Sequence, residues 1–241
     1  VSPPVVLTVQ AVDPAGAEGL GGDVRVFADL DCAVRVAATG IVLPPPRGRY
    51  VLPDEVFEAQ IRAAFAERPP AVVRTGTFLE PTQAERAGAW LREMHPSTVV
   101  VAYEPGTRSA DSRRATVEAL REGLVPLSRV LVLRAGLAED WFGEAREDLD
   151  GVRRGAEGLL ARGAIAVLVT GIFSGGRVLD VLVDGDRTAV FDTPRIATAR
   201  VEGLAVAHAS ALAAHLAHGL PLDRAAAAAQ RYVASRLAAA R

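Results

Sequence analysis

Short apolar runs alternate with amphipathic stretches along most of the chain. Val5 to Val9, VVLTV, has the density of a strand buried on both faces. The stretch AVDPAGAEGLGGD, 11–23, is rich in Gly and Ala and predicts a loop, with Asp23 opening a helix through Leu30. Ala33 to Leu43 predicts a second strand, closed by Pro44, Pro45 and Pro46, which cannot continue a ladder. DEVFEAQIRAAFAE, 54–67, sets Val56, Phe57, Ile61 and Phe65 at helical spacing, with Asp54 as its cap. AVVRTG, 71–76, predicts a strand. PTQAERAGAWLREM, 81–94, predicts a helix with Pro81 in its first turn and a stop at His95-Pro96. STVVVAY, DSRRATVEALREGL and RVLVLRA then predict strand, helix and strand. LAEDWFG opens helical structure that resumes around 151–162, and AIAVLVTG, 164–171, predicts a strongly apolar strand.

After residue 171 the pattern changes. VLDVLVDGDRTAVFDTP, 178–194, alternates on both sides of Asp184-Gly185-Asp186, as a β-hairpin does. Two helices close the chain, about 204–218 and 221–240. Strands alternating with helices predict a three-layer α/β/α domain with a mostly parallel central sheet and a late hairpin at one edge. All 241 residues are expected in this single domain.

Composition narrows the chemistry. Half of the residues are hydrophobic and the formal net charge is −2, so there is no basic surface for nucleic acid. No apolar run reaches a membrane span, and VSPPVVLTVQ lacks the zones of a signal peptide, so a cytoplasmic protein is expected. Cys32 is the one cysteine, which excludes an internal disulfide and a Cys-based zinc site. All 27 basic residues are Arg, so no Lys is available as a Schiff base or tunable amine. A phosphate would have to be held by Arg, backbone N–H groups or a metal.

The ordered set of motifs resembles the phosphomethylpyrimidine kinases of thiamine biosynthesis, which have the ribokinase-like fold. The motifs are VQAVDPAGAEGLGGDVRVFADL, RTGTF, AVLVTG, and TPRIATARVEGLAVAHASALAAHLAHG followed by LPLDRAAAAAQRYV. The resemblance implies transfer of the ATP γ-phosphoryl group, with Mg²⁺, to hydroxymethylpyrimidine or its monophosphate. It also implies a homodimer. Such chemistry needs N–H groups at a helix N-terminus, a proton acceptor at that turn, cations for the phosphates and polar groups for the pyrimidine edge.

Several of those groups are replaced. Where the family has Gly-Thr-Gly-Cys, this chain has Gly203, Leu204, Ala205 and Val206, and a valine takes no proton. Loss of a positioned base costs about 100- to 10,000-fold. On the substrate side Asp13, Gly16, Gly19 and Asp23 keep their places, but the family's pyrimidine-reading Gln falls on Pro44. On the nucleotide and metal side the family's Asp-Pro-Val becomes Ala102, Tyr103 and Glu104, its Asn becomes Arg134, and its Lys becomes Thr170, followed by Gly171, Ile172 and Phe173. The sequence therefore puts first a degenerate relative with little or no kinase activity, binding a pyrimidine-like small molecule or a protein partner, whereas assembly as a homodimer or with an active paralogue belongs to a structural role. The alternative is a working ATP- and Mg²⁺-dependent kinase using replacement groups: Asp13, Asp23 or Glu104 for the carboxylate, Arg134 or Arg200 for the charge. A purely structural role is the third reading.

Other constellations are weaker. His208, His215 and His218 share a helix but have no carboxylate at matching spacing, and they read as packed or solvated; no metal site is expected. Ser174-Gly175-Gly176 is a turn without an evident base. Glu144, Glu147, Asp148 and Asp150 with Arg146, Arg153 and Arg154 read as a solvated face. Arg108, Arg113 and Arg114 are candidates to meet an anion. Trp90 and Trp141 read as packing groups.

Overall fold

The apolar runs become a single sheet of nine strands in the computed structural model, which describes residues 2–43, 48–106, 109–143, 148–196 and 203–239. In chain order its strands are β1 (Val5–Val12), β2 (Ala33–Val42), β3 (Arg49–Val51), β4 (Val72–Thr75), β5 (Val99–Ala102), β6 (Val130–Arg134), β7 (Ala166–Ser174), β8 (Arg177–Asp184) and β9 (Arg187–Pro194). Its helices are α1 (Gly19–Asp29), α2 (Asp54–Phe65), α3 (Pro81–Met94), α4 (Ala110–Gly123), α5 (Ala138–Phe142), α6 (Leu149–Leu160), α7 (Leu204–Ala217) and α8 (Leu222–Ala239). The spatial order is β3-β2-β1-β4-β5-β6-β7-β8-β9. The six strands from β2 to β7 in that order pair in parallel, while β3, β8 and β9 are antiparallel.

Strand periodicity sorts the core into two layers. Leu7, Val73, Val99, Val101, Leu131 and Val167 face α2 to α6, against Phe57, Ile61, Leu91, Leu120 and Leu159. Their neighbours Val6, Val72, Val100, Val130 and Leu168 face α1, α7 and α8. Burial on both faces explains why these strands read as continuous apolar runs. Each Leu, Ile or Phe so buried contributes roughly 1.5–3 kcal/mol of transfer free energy. α7 is apolar on nearly every side because it lies in the middle of its layer, where small side chains at Ala207, Ala211 and Ala214 are enclosed.

The structure corrects several local expectations. α1 begins at Gly19, not at Asp23, so Asp23 is an interior residue of that helix. The reason is a tight turn: the Asp13 side chain accepts from the N–H groups of Ala15 and Glu18, closing the loop four residues early. α2 is capped at Pro53 without a side-chain bond; Asp54 is its first residue and pairs with Arg86. Val56 is exposed and Ala64 completes the buried stripe. The short strand β3 was not anticipated; it pairs Tyr50 with Ile41 at the sheet edge. Its polar sequence, Arg49-Tyr50, carries no strand period. The helix stop at His95 holds, with that residue left-handed at φ 49° and its N–H on the Leu91 carbonyl. Trp90 and Trp141 are core residues, each edge-on to a neighbouring ring. Among the described residues, no helix is long and apolar enough to cross a membrane.

Candidate functional site

The strand order defines where a site belongs. From β1 the chain moves to β2 on one side and, later, to β4 on the other. In such sheets a crevice opens at the carboxyl ends of the strands where the order reverses. By this rule the candidate site falls between the loop after β1, residues 13–18, and the loop after β4, residues 76–80.

The first wall is the 13–18 loop against the start of α7. Gly203 caps α7 in the left-handed region at φ 76°, and a Cβ placed on it would stand 2.2 Å from the Ala17 carbonyl oxygen. Only glycine satisfies both the conformation and the approach. Gly19 is held in the same way at φ 58°, with the Ala11 carbonyl 2.3 Å from its would-be Cβ. Two loop–helix junctions are thus locked face to face, and α7 presents its first N–H groups beside the 13–18 loop. A helix start leaves such groups without intrahelical acceptors and carries a partial positive charge. No side chain caps this turn. Val206 is buried and packs its methyl groups against α1 at Gly22. The turn can therefore hold an anion through its backbone, and among its described residues, 203–206, no side chain takes a proton. Glu202 and Arg200 lie outside the described residues, as do Pro44 and Arg108.

The floor of the crevice is a buried charge network. Arg74, in the middle of β4, is wholly buried and lies 3.2 Å from the equally buried Asp23 of α1. Its other terminal nitrogen donates to Glu104, just beyond β5. Asp23 also accepts from the hydroxyls of Thr8 on β1 and Ser210 on α7. Glu104 accepts in addition from Gln10 Nε2 at 2.7 Å. Burial pushes the Asp23 carboxyl up, against the pull of Arg74, to about 6. Burial acts to lower Arg74, but Asp23 and Glu104 outweigh it and its pKa is raised. Asp23 is thus sealed between Arg74, Thr8 and Ser210 and is not exposed to an acceptor hydroxyl. Asp13 is occupied with its own loop.

The nucleotide-side residues also converge. Arg134, at the carboxyl end of β6, and Thr170, in the middle of β7, are register partners where the parallel pairing of the two strands ends, and the Thr170 hydroxyl donates to the Leu133 carbonyl. Gly171, at φ 77°, lies where the β7–β8 register shifts, and its N–H donates to Asp180 at 2.8 Å. The other oxygen of Asp180 is 2.9 Å from Nε2 of His208, both side chains being almost fully enclosed. The His208 partner comes from β8, so spacing along its own helix did not reveal it. This pair ties the second turn of α7 to the bend at Gly171. His218 reaches the Leu30 carbonyl at 2.8 Å, and burial lowers His215. Arg113 bonds Asp140, and Arg114 is exposed beside Asp111.

Sequence reasoning passed over Arg74, Thr8, Gln10, Asp180 and Ser210. The signal was present: each is a polar residue at a core-facing position of an apolar segment, VVRT, VVLTVQ, VLDVLV and HASAL. Among the described residues, no cluster of three or more His, Cys, Asp or Glu side chains is placed to hold a metal ion. Arg74 occupies both crevice-side carboxylates. A separate cleft of about 390 Å³ beside Arg153, Glu157 and the β8–β9 turn lies at the opposite end of the sheet.

Comparisons with known proteins agree with this geometry. The chain is 31% identical over 237 residues to the thiamine biosynthesis bifunctional protein ThiED of Geobacter sulfurreducens, covering 95% of this chain. It spans 48% of that relative's length. It is 30% identical over 245 residues to the hydroxymethylpyrimidine/phosphomethylpyrimidine kinase of Rhizobium meliloti, covering 98% of this chain and 91% of the relative. The fold superposes with a TM-score of 0.90 on the pyridoxal kinase of Staphylococcus aureus in complex with AMP-PCP, at 24% identity over 98% of this chain and 89% of that one. The sequence profile of the phosphomethylpyrimidine kinase family matches residues 13–241, and with the locked Gly203 turn and the crevice beside it, the chain belongs to that family.

Proposed function

We propose that the chain is an ATP-dependent small-molecule kinase that works without a side-chain base at the first turn of α7, and is slow for that reason. The observation that carries this reading is the helix-start turn at Gly203, whose positive φ and close approach to the Ala17 carbonyl only glycine meets. Phosphoryl transfer depends mostly on positioning and on neutralising charge. A backbone turn supplies part of both, and a missing base costs about 100- to 10,000-fold without abolishing transfer. The relatives support this reading over the non-catalytic one that the sequence places first. The acceptor proton would leave through water or through Glu104, whose side chain is partly exposed at the crevice.

The experiment is single-turnover transfer from γ-labelled ATP to hydroxymethylpyrimidine and its phosphate, alongside calorimetric titration of ATP–Mg²⁺. Low-micromolar nucleotide binding with slow, ATP-dependent product formation is expected. Absence of nucleotide binding and of product would overturn it and leave the non-catalytic reading. Val206 favours that second reading, because it fills the space between α7 and Gly22 rather than opening it.

A further inference from the structure

Asp180 stands opposite a bulge. The β7–β8 register runs to Val169–Val181 and resumes at Ile172–Leu179, so Thr170 and Gly171 face Asp180 alone. An inserted residue leaves ladder groups unpaired. The Asp180 carboxylate takes up the freed Gly171 N–H at 2.8 Å, and its other oxygen is 2.9 Å from Nε2 of His208. The parallel pairing of β6 with β7 ends at the same level, with Arg134 beside Thr170. An ionised carboxylate only accepts, so Nε2 carries the proton of the bond to His208. Nδ1 is then a buried nitrogen without a partner among the described residues.

Among the described residues, two polar side-chain bonds tie the N-terminal half of α7 to other elements. Ser210 bonds Asp23 of α1, on the side where Val206 packs on Gly22. His208 bonds Asp180 of β8. Positions two apart on a helix point about 200° from one another, so the two bonds brace α7 from opposite flanks. We propose that Asp180 and His208 are positioning residues for phosphoryl transfer: they fix where the first N–H groups of α7 stand against the carboxyl end of β6 and the bulge of β7. Both side chains are enclosed, at 3% and 6% exposure, so they act through the Gly203 turn and not on a substrate. The inference rests on the kinase reading only for what that turn holds. A shift of about 1 Å in a positioned group can cost about 100-fold in rate.

The test compares the wild-type chain with His208→Leu, which removes the bond and keeps an apolar side chain there, and His208→Gln, which returns an N–H donor at the reach of Nε2. Ile61→Ala, in the opposite core layer, is the control for lost stability alone. Single-turnover transfer from ATP–Mg²⁺ to hydroxymethylpyrimidine should fall about 10- to 100-fold in His208→Leu, with ATP affinity within about threefold. His208→Gln should recover most of that rate, and Ile61→Ala should keep it. If His208→Leu does not fold, Asp180→Asn decides. Its oxygen still serves the Gly171 N–H, but its amide faces the Nε2 donor, or forces the imidazole to carry its proton on the partnerless Nδ1. The rate should fall there too. A second readout needs no transfer: exchange of the Ala207 amide, which donates to the Gly203 carbonyl at 2.8 Å and closes the turn. It should quicken at least about tenfold in His208→Leu and Asp180→Asn, but not in His208→Gln or Ile61→Ala. Unchanged exchange in both bond-breaking variants, equal losses in Gln and Leu, or an equal loss in Ile61→Ala overturns the proposal. A wild type without transfer sinks the kinase reading alone, and the exchange result then decides whether the pair positions the turn.

Discussion

Arg74 and Asp23, from the centre of β4 and the interior of α1, form a fully enclosed ion pair at 3.2 Å. It joins sheet to helix directly beneath the crevice. Thr8 and Ser210 bond Asp23 and Glu104 bonds Arg74, while Nε and Nη1 of Arg74 have no hydrogen-bond partner among the described residues. Removing one partner leaves the other charge uncompensated. Arg74→Met is therefore expected to lower unfolding free energy by about 3–5 kcal/mol. Arg74→Met with Asp23→Asn should recover part of that loss. Urea unfolding of both variants checks it; an additive loss in the double variant would show that the two residues are not coupled.

The pH dependence follows from the same group. The folded-state value of Asp23 is raised from 3.8 to about 6, chiefly by burial. The folded protein therefore holds a proton there that the unfolded chain has released between those two values. Its stabilising contribution is complete below pH 3.8 and is lost as pH rises through about 6. Asp23→Asn should flatten this part of the stability profile between pH 4 and 6, relative to the wild type. Equilibrium unfolding at a series of pH values measures it, and identical slopes in the two proteins would refute the assignment.

Gly203 meets two constraints at once, a positive φ of 76° and the Ala17 carbonyl at 2.2 Å from any added Cβ. Gly203→Ala should cost at least about 1–3 kcal/mol of backbone strain and weaken nucleotide binding more than tenfold by displacing the α7 turn. Gly185→Ala, at a hairpin turn with open space around it, is the control for strain alone. Calorimetric unfolding and ATP titration of the two variants distinguish the effects.

The missing proton acceptor can be supplied. Val206→Cys introduces a smaller side chain at a buried position, so packing should suffer little. If transfer is limited by the absence of a base at this turn, the single-turnover rate should rise about 100-fold or more. An unchanged rate with intact ATP binding would mean that proton removal does not limit this protein.

His208 and Asp180 stabilise one another at 2.9 Å across α7 and β8. His208→Ala should destabilise the fold by about 3 kcal/mol or more, since it leaves Asp180 buried beside the Gly171 N–H alone. His208→Ala with Asp180→Asn should lose less. Thermal unfolding of the single and double variants checks this coupling.

Hydrophobic periodicity determined the layer architecture, because a strand buried on both faces has to be apolar at every position and a covering helix only on its stripe. The pattern also located the late hairpin, while the motif around Gly203 was found through the resemblance to the family. It did not reveal α1 beginning at Gly19, where one Asp13 side chain closes the turn, nor the polar edge strand at Arg49–Val51. The site was legible in its glycines, in Val206 and in the carboxylates Asp13, Asp23 and Glu104, but not in Arg74, Thr8, Gln10 or Ser210. That Arg74 lies between Asp23 and Glu104, and that His208 meets Asp180, depended on strand register bringing together residues 51, 30 and 28 positions apart along the chain. A buried charge is marked in the sequence as out of place, but its partner is chosen by the packing of α1, α7 and the sheet.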